Sequence, residues 1–135
     1  MAADNTGREN KQPHRIPNYP GNGQRVYLFS KQVSSTDLRL GLRLTGFATT
    51  YLDELPPQYL SAIHGNGLKV ACYTPAGQSH DIMLEHTNPG GAPIYRFSGN
   101  GWQEIASANG WCKHHPIDCW VVFEPIRGML SFLIE

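Results

Sequence analysis

The chain has 135 residues, eleven basic and eleven acidic, so its formal net charge is zero. That length suits one domain plus a tail, and neutrality argues against a general-purpose polyanion grip while leaving room for a local basic arm. Fourteen glycines and ten prolines punctuate the chain into many short elements joined by turns.

Residues 1–24 hold only Ile16 and Tyr19 among polar residues, prolines and glycines, too little to offset ordering entropy, so a flexible tail is expected there. The folded domain is expected over residues 25–135, starting with a β-rich run at Arg25–Phe29. After a polar loop, Leu38, Leu40, Leu42 and Leu44 alternate with Arg39, Gly41 and Arg43, the period of a half-buried strand. Ala48–Leu55 and Gln58–Ile63 read as short helical turns broken at Pro56-Pro57. Gly65-Asn66-Gly67 turns the chain into a strand at Leu68–Tyr73, and Pro75-Ala76-Gly77 returns it into His80–Leu84. Glu85–Ala92 reads as a turn-rich loop before a strand at Ile94–Phe97. Gly101-Trp102 opens a short helix ending near Asn109, and apolar strands follow at Ile117–Phe123 and Met129–Ile134. The count is about seven strands and two short helices: a mainly β chain, folded as a small open barrel or sandwich.

The three cysteines, Cys72, Cys112 and Cys119, are odd in number and point to a reducing compartment rather than a disulfide framework. No apolar run approaches the roughly 20 residues that span a bilayer, and Met1–Arg8 lacks the apolar core of a secretory signal. A soluble, intracellular protein is expected.

The run Cys112-Lys113-His114-His115-Pro116-Ile117-Asp118-Cys119 offers thiolates and imidazoles of the kind that hold zinc. Its spacing matches no common zinc knuckle, and Cys119 sits beside Trp120 in an apolar strand where a small buried thiol belongs. No metal and no cofactor are expected. His114 and His115 lack a nucleophile elbow, paired carboxylates or a phosphate-cradling loop, and Gly99-Asn100-Gly101 and Gly90-Gly91 read as turns. The expectation is therefore a non-enzyme. A small β-barrel enzyme or sugar-binding module using His114, His115 and the tryptophans is the minor reading, since Trp102, Trp111 and Trp120 read first as core.

Leu28, Val33, Arg39, Leu40 and Leu42 fall in the register Leu-x4-Val-x5-Arg-Leu-x-Ile. Gly67-Leu68-Lys69-Val70 follows. Gly101, Trp102, Asn109, Asp118, Trp120, Phe123, Gly128, Leu130 and Phe132 complete an ordered series. In this series the chain, over roughly residues 25–135, resembles the plant B3-type DNA-binding domain, in a divergent branch. Three departures stand out: Arg43 where members usually carry Pro, Gln32 where an acidic residue is common, and an expanded turn at Cys112–Asp118.

The resemblance implies a seven-stranded open barrel, or pseudobarrel, in a nuclear plant transcription regulator. It implies double-stranded DNA as partner, with other transcription factors beside it and no membrane. Such domains enter the major groove, about 12 Å wide, with two loops, one between the first and second strands and one between the fourth and fifth. Carried over by position, the first arm is Lys31–Arg39, with Lys31, Gln32, Ser34, Ser35, Thr36 and Arg39 as contacts. The second is Glu85–Arg96, with its tip at His86–Gly91 and with His86, Thr87, Asn88 and Arg96 as contacts. Arg43 reads as the solvated face of an edge strand. The second arm is poor in cations and contains Glu85, which keeps a second reading open: a protein-interaction domain on the same scaffold with little DNA affinity.

Overall fold

In the computed structural model, which describes residues 11–16, 24–77 and 79–135, seven strands form one sheet. They are β1 (Arg25–Gln32), β2 (Arg43–Leu44), β3 (Leu68–Tyr73), β4 (Ser79–Thr87), β5 (Ile94–Phe97), β6 (Pro116–Glu124) and β7 (Met129–Ile134). The order is β1-β6-β7-β3-β4-β5-β2, and every pairing is antiparallel except β3 with β7. The sheet curls into a nearly closed barrel. Its two edges, β1 and β2, are bridged by Lys31, whose Nζ donates to the carbonyl of Arg43 at 3.2 Å.

Inward-facing Leu28, Leu44, Val70, Cys72, Ile82, Leu84, Phe97 and Phe132 fill the barrel. The helix Gly99–Asn109 packs Trp102, Ile105 and Ala106 into this core, the i, i+3, i+4 stripe of an amphipathic helix. Asn109 at its end donates to Thr74 Oγ1 at 2.8 Å and accepts from the Ala76 amide at 2.9 Å. These two bonds fix the helix to the β3–β4 turn.

Four α-helices are present among the described residues rather than two: α1 (Ser35–Leu40), α2 (Phe47–Asp53), α3 (Pro57–His64) and α4 (Gly99–Asn109). The break between α2 and α3 falls at Pro56-Pro57 as expected, with Pro57 in the first helical position where its missing N–H costs nothing.

Helix α1 corrects the reading of Leu38–Leu44 as one strand. Ser34 caps it: the Ser34 hydroxyl accepts from the Asp37 amide at 3.0 Å, and the Asp37 carboxylate accepts from the Ser34 amide at 2.9 Å. This reciprocal box satisfies two N–H groups that a helix start otherwise leaves bare, and it outweighs the leucine alternation. Leu42 and Leu44 face the core and Leu38 packs partly against it from the helix, whereas Leu40 is 49 % exposed.

Strands β6 and β7 are apolar on both faces. Ile117, Cys119 and Val121 face the barrel core, while Trp120, Val122 and Leu133 form a second cluster with Ile16 on the outside. A segment of the expected tail covers that outer face. Trp120 Nε1 donates to the Lys11 carbonyl at 2.9 Å, and the His14 and Arg15 amides donate to the Glu135 carboxylate at 2.9 and 2.7 Å. Residues 11–16 are thus part of the folded body, a correction to a flexible tail over 1–24. Residues 1–10 and 17–23 of that tail lie outside the described residues.

Candidate functional site

The chain between β1 and β2 carries the expected first arm, and its foot is built around Asp37. This carboxylate is almost fully buried and receives the Lys31 ammonium at 2.9 Å, the Ser34 amide at 2.9 Å and the Arg43 amide at 3.1 Å. Burial opposes its ionisation, but these donors outweigh burial and hold the carboxyl below its ordinary range. At the arm's far end Gly41 sits at φ 113°, and a Cβ there would lie 2.0 Å from the Phe97 carbonyl oxygen. Only glycine lets the chain pass so close to β5.

Two further contacts hold the arm. Arg96 Nη1 donates to the Gly41 carbonyl at 2.6 Å, and Gln103 Nε2 on α4 donates to the Leu38 carbonyl at 2.9 Å. The arm is therefore a short, pinned helix and not a loose loop.

Arg43 stands opposite Arg96 in the β2–β5 ladder. Like charges directly opposite one another in a sheet are destabilising. With Lys31, Ser34, Thr36, Asp37 and Thr45 the two arginines line a cavity of about 360 Å³. Three cations meet one carboxylate there, and that carboxylate is already committed to Lys31. Among the described residues no carboxylate lies within ion-pair distance of Arg43 or Arg96. The arrangement is suited to an anion with several oxygens, one that accepts from both guanidinium groups and from the Ser34 and Thr36 hydroxyls.

The second arm is shorter than expected, because β4 continues through Thr87 and leaves Asn88–Pro93 as the connection to β5. Asn88 is exposed at its start, and its carbonyl accepts from the Gly91 amide at 3.3 Å. His86 belongs to the strand. Its ring stacks on His64 of α3 at 4.0 Å and meets Tyr95 edge-on at 4.9 Å. Burial and the neighbouring His64 both lower its proton affinity. Tyr95 in turn donates to Asp53 Oδ1 at 2.5 Å. His86 and Thr87 are thus part of the arm's rigid base, with Thr87 paired to Ile94.

Of the other residues singled out by sequence, Gln32, Ser35, Thr36 and Arg39 are exposed. Ser34 serves the helix cap, while Lys31 and Arg96 are brought together at the cavity. Sequence reasoning missed Asp37 and set Arg43 aside. The Ser-x-x-Asp spacing before an apolar run was the available signal for Asp37. Nothing local marks Arg43, whose neighbour Arg96 is distant in sequence.

No protein-family model matches the chain, and no curated protein matches it. Among solved structures, that of an Arabidopsis FUS3–DNA complex superposes with a TM-score of 0.54 at 14 % identity, covering 81 % of this chain and 96 % of that one. At that identity the likeness concerns architecture, and the architecture agrees with the order of residues from Leu28 to Phe132. The fold of this chain is a seven-stranded pseudobarrel like that of the FUS3 chain, the architecture that the B3-type resemblance implies.

Proposed function

We propose that this chain is a sequence-reading, double-stranded DNA-binding domain of a plant nuclear transcription regulator, without enzymatic activity. The observation that carries the reading is the pair Arg43 and Arg96, opposed across β2–β5 beside Lys31, around a cavity at the foot of the first arm. A neutral chain that concentrates unpaired cations at one spot is built for a local polyanion contact rather than a diffuse one. The fold shared with a protein solved in complex with DNA supports the same reading.

In this reading Arg43 and Arg96 hold a backbone phosphate, helped by the Ser34 and Thr36 hydroxyls and by Ser35. Lys31 acts through Asp37 to fix the arm. Base edges fall to Gln32 and Arg39 on the first arm and to Asn88 on the second, since amides match adenine and a guanidinium matches guanine O6 and N7. His86 and Thr87 stiffen the second arm from below. The first arm ends at Gly41 beside Phe97 and the second enters β5 at Ile94, so the two arm roots lie about one strand length apart, the four residues of β5 advancing roughly 10 Å at about 3.4 Å per residue. That span is commensurate with a major groove about 12 Å wide. Nuclear residence and association with other transcription factors follow from the same reading.

Selection from a random-sequence duplex pool, repeated at two salt concentrations, tests it. Enrichment of one motif with salt-dependent affinity is the expected result. A pool that stays random at both salt concentrations overturns it and favours the protein-interaction scaffold, which the acidic Glu85 beside Arg96 in the β4–β5 ladder would suit.

A further inference from the structure

The loop between α4 and β6, which carries Cys112, Lys113, His114 and His115, has no role in the fold's two-arm scheme. It lies against the root of the first arm. The His114 amide donates to the Val33 carbonyl at 2.8 Å, and the Val33 amide donates to the His115 carbonyl at 2.9 Å. Val33 directly follows β1 and directly precedes the helix cap at Ser34, so this loop and the arm form one rigid unit.

The loop is a tight turn closed by the His115 amide on the Cys112 carbonyl at 3.0 Å. Its third residue, His114, has φ 76°, the only positive φ of a non-glycine among the described residues. Glycine fills that turn position without strain, and a histidine there stores it. The turn is also clamped from behind. Trp111 is buried, its amide donates to the Ala106 carbonyl at 2.8 Å, and its ring lies against Trp102 at 5.9 Å and against His115 at 5.9 Å. The side chains of Lys113 and His114 are left exposed. Among the described residues neither has a carboxylate within ion-pair distance. A strained residue held on a rigid base, next to an unpaired lysine and beside the proposed DNA arm, is an arrangement folding alone does not require.

We propose that Lys113 and His114 form a third contact with duplex DNA, extending the first arm's grip along the sugar-phosphate backbone independently of sequence. The inference rests on the DNA reading above. Lys113 supplies the cation, and the His114 imidazole donates to a phosphate or sugar oxygen.

The test uses the full chain and a fluorescent duplex of random sequence, followed by anisotropy across a salt series. Lys113→Gln is expected to weaken binding roughly fivefold and to reduce the salt slope by about 1. Lys69→Gln, which removes an exposed lysine on β3, is the control for loss of charge alone and is expected to leave both unchanged. His114→Gly separates binding from folding: it is expected to melt at or above the parent temperature, because the strain is relieved, and yet to bind more weakly. Unchanged affinity and slope in Lys113→Gln and His114→Gly, while Arg43→Ala weakens binding, would sink the third contact and leave the DNA reading intact. Failure of the parent chain to bind the duplex at low salt would sink both.

Discussion

Arg43 and Arg96 face each other across the β2–β5 ladder, and among the described residues Arg96 alone of the two has its guanidinium bonded to the fold, through the Gly41 carbonyl. Their repulsion costs roughly 0.2–1 kcal/mol. Arg43→Ala is therefore expected to leave thermal stability unchanged or slightly higher, while weakening duplex binding and flattening its salt dependence by about one unit. Unfolding curves and anisotropy titrations of the same preparation check both halves. A stability loss with full binding would assign Arg43 to the fold instead.

Asp37→Asn keeps the shape of the buried carboxylate but leaves Lys31 without its counter-charge. A loss of about 1.5–3 kcal/mol at neutral pH is expected, measurable by urea denaturation. The sign of the pH dependence follows from the lowered native pKa of Asp37. The parent's Asp37 contribution is complete above the carboxyl's ordinary value of 3.8, and it disappears as pH falls through the lower native value. The gap between parent and variant should narrow over that window. A constant gap would mean that the charge does not matter.

Ile16→Asp puts a carboxylate among Trp120, Val122 and Leu133. Loss of the apolar burial alone is worth about 1.5–3 kcal/mol, so the melting temperature should drop clearly, with a red shift in tryptophan emission as Trp120 meets water. An unchanged melting temperature and spectrum would show that residues 11–16 contribute nothing to the body.

The three thiols should separate cleanly in reactivity. Cys112 is exposed, whereas Cys72 and Cys119 are fully buried. Burial pushes the Cys72 thiol up to about 12 and raises Cys119 as well. The thiolate is the reacting form, so one equivalent of an alkylating reagent should be consumed by the native chain and the other two only after unfolding. Mass spectrometry of the labelled chain reads the count directly.

Strands β3, β5 and β7 were legible to the residue, because each is a short apolar run set off by glycine, proline or polar turn residues. The short helix opening at Gly101-Trp102 and ending near Asn109 was equally plain. Helix α1 was not, because four leucines at period two outvoted a capping pair whose strength depends on burial. Asp37 escaped notice for a related reason: a charged residue is presumed solvated until a partner is found, and its partners come from β1, the helix cap and the start of β2. The role of Arg43 is visible only once β2 lies on β5. The outer apolar face of Trp120 and Val122 did imply a covering segment, but a six-residue stretch with one aliphatic side chain is too weak a pattern to be recognised as the cover.

The gap between β1 and β2 gives the barrel a property that a fully laddered cylinder would lack. Where other staves are joined by amide-to-carbonyl rungs, this pair is fastened by one lysine head group shared between Asp37 and the Arg43 carbonyl. Ionic fastening responds to protonation of Asp37, which leaves main-chain rungs untouched. An oxyanion held by Arg43 on one side and by Lys31 or the Ser34 hydroxyl on the other would act as a clasp on that slit, and gripping a partner and tightening the vessel would become one event.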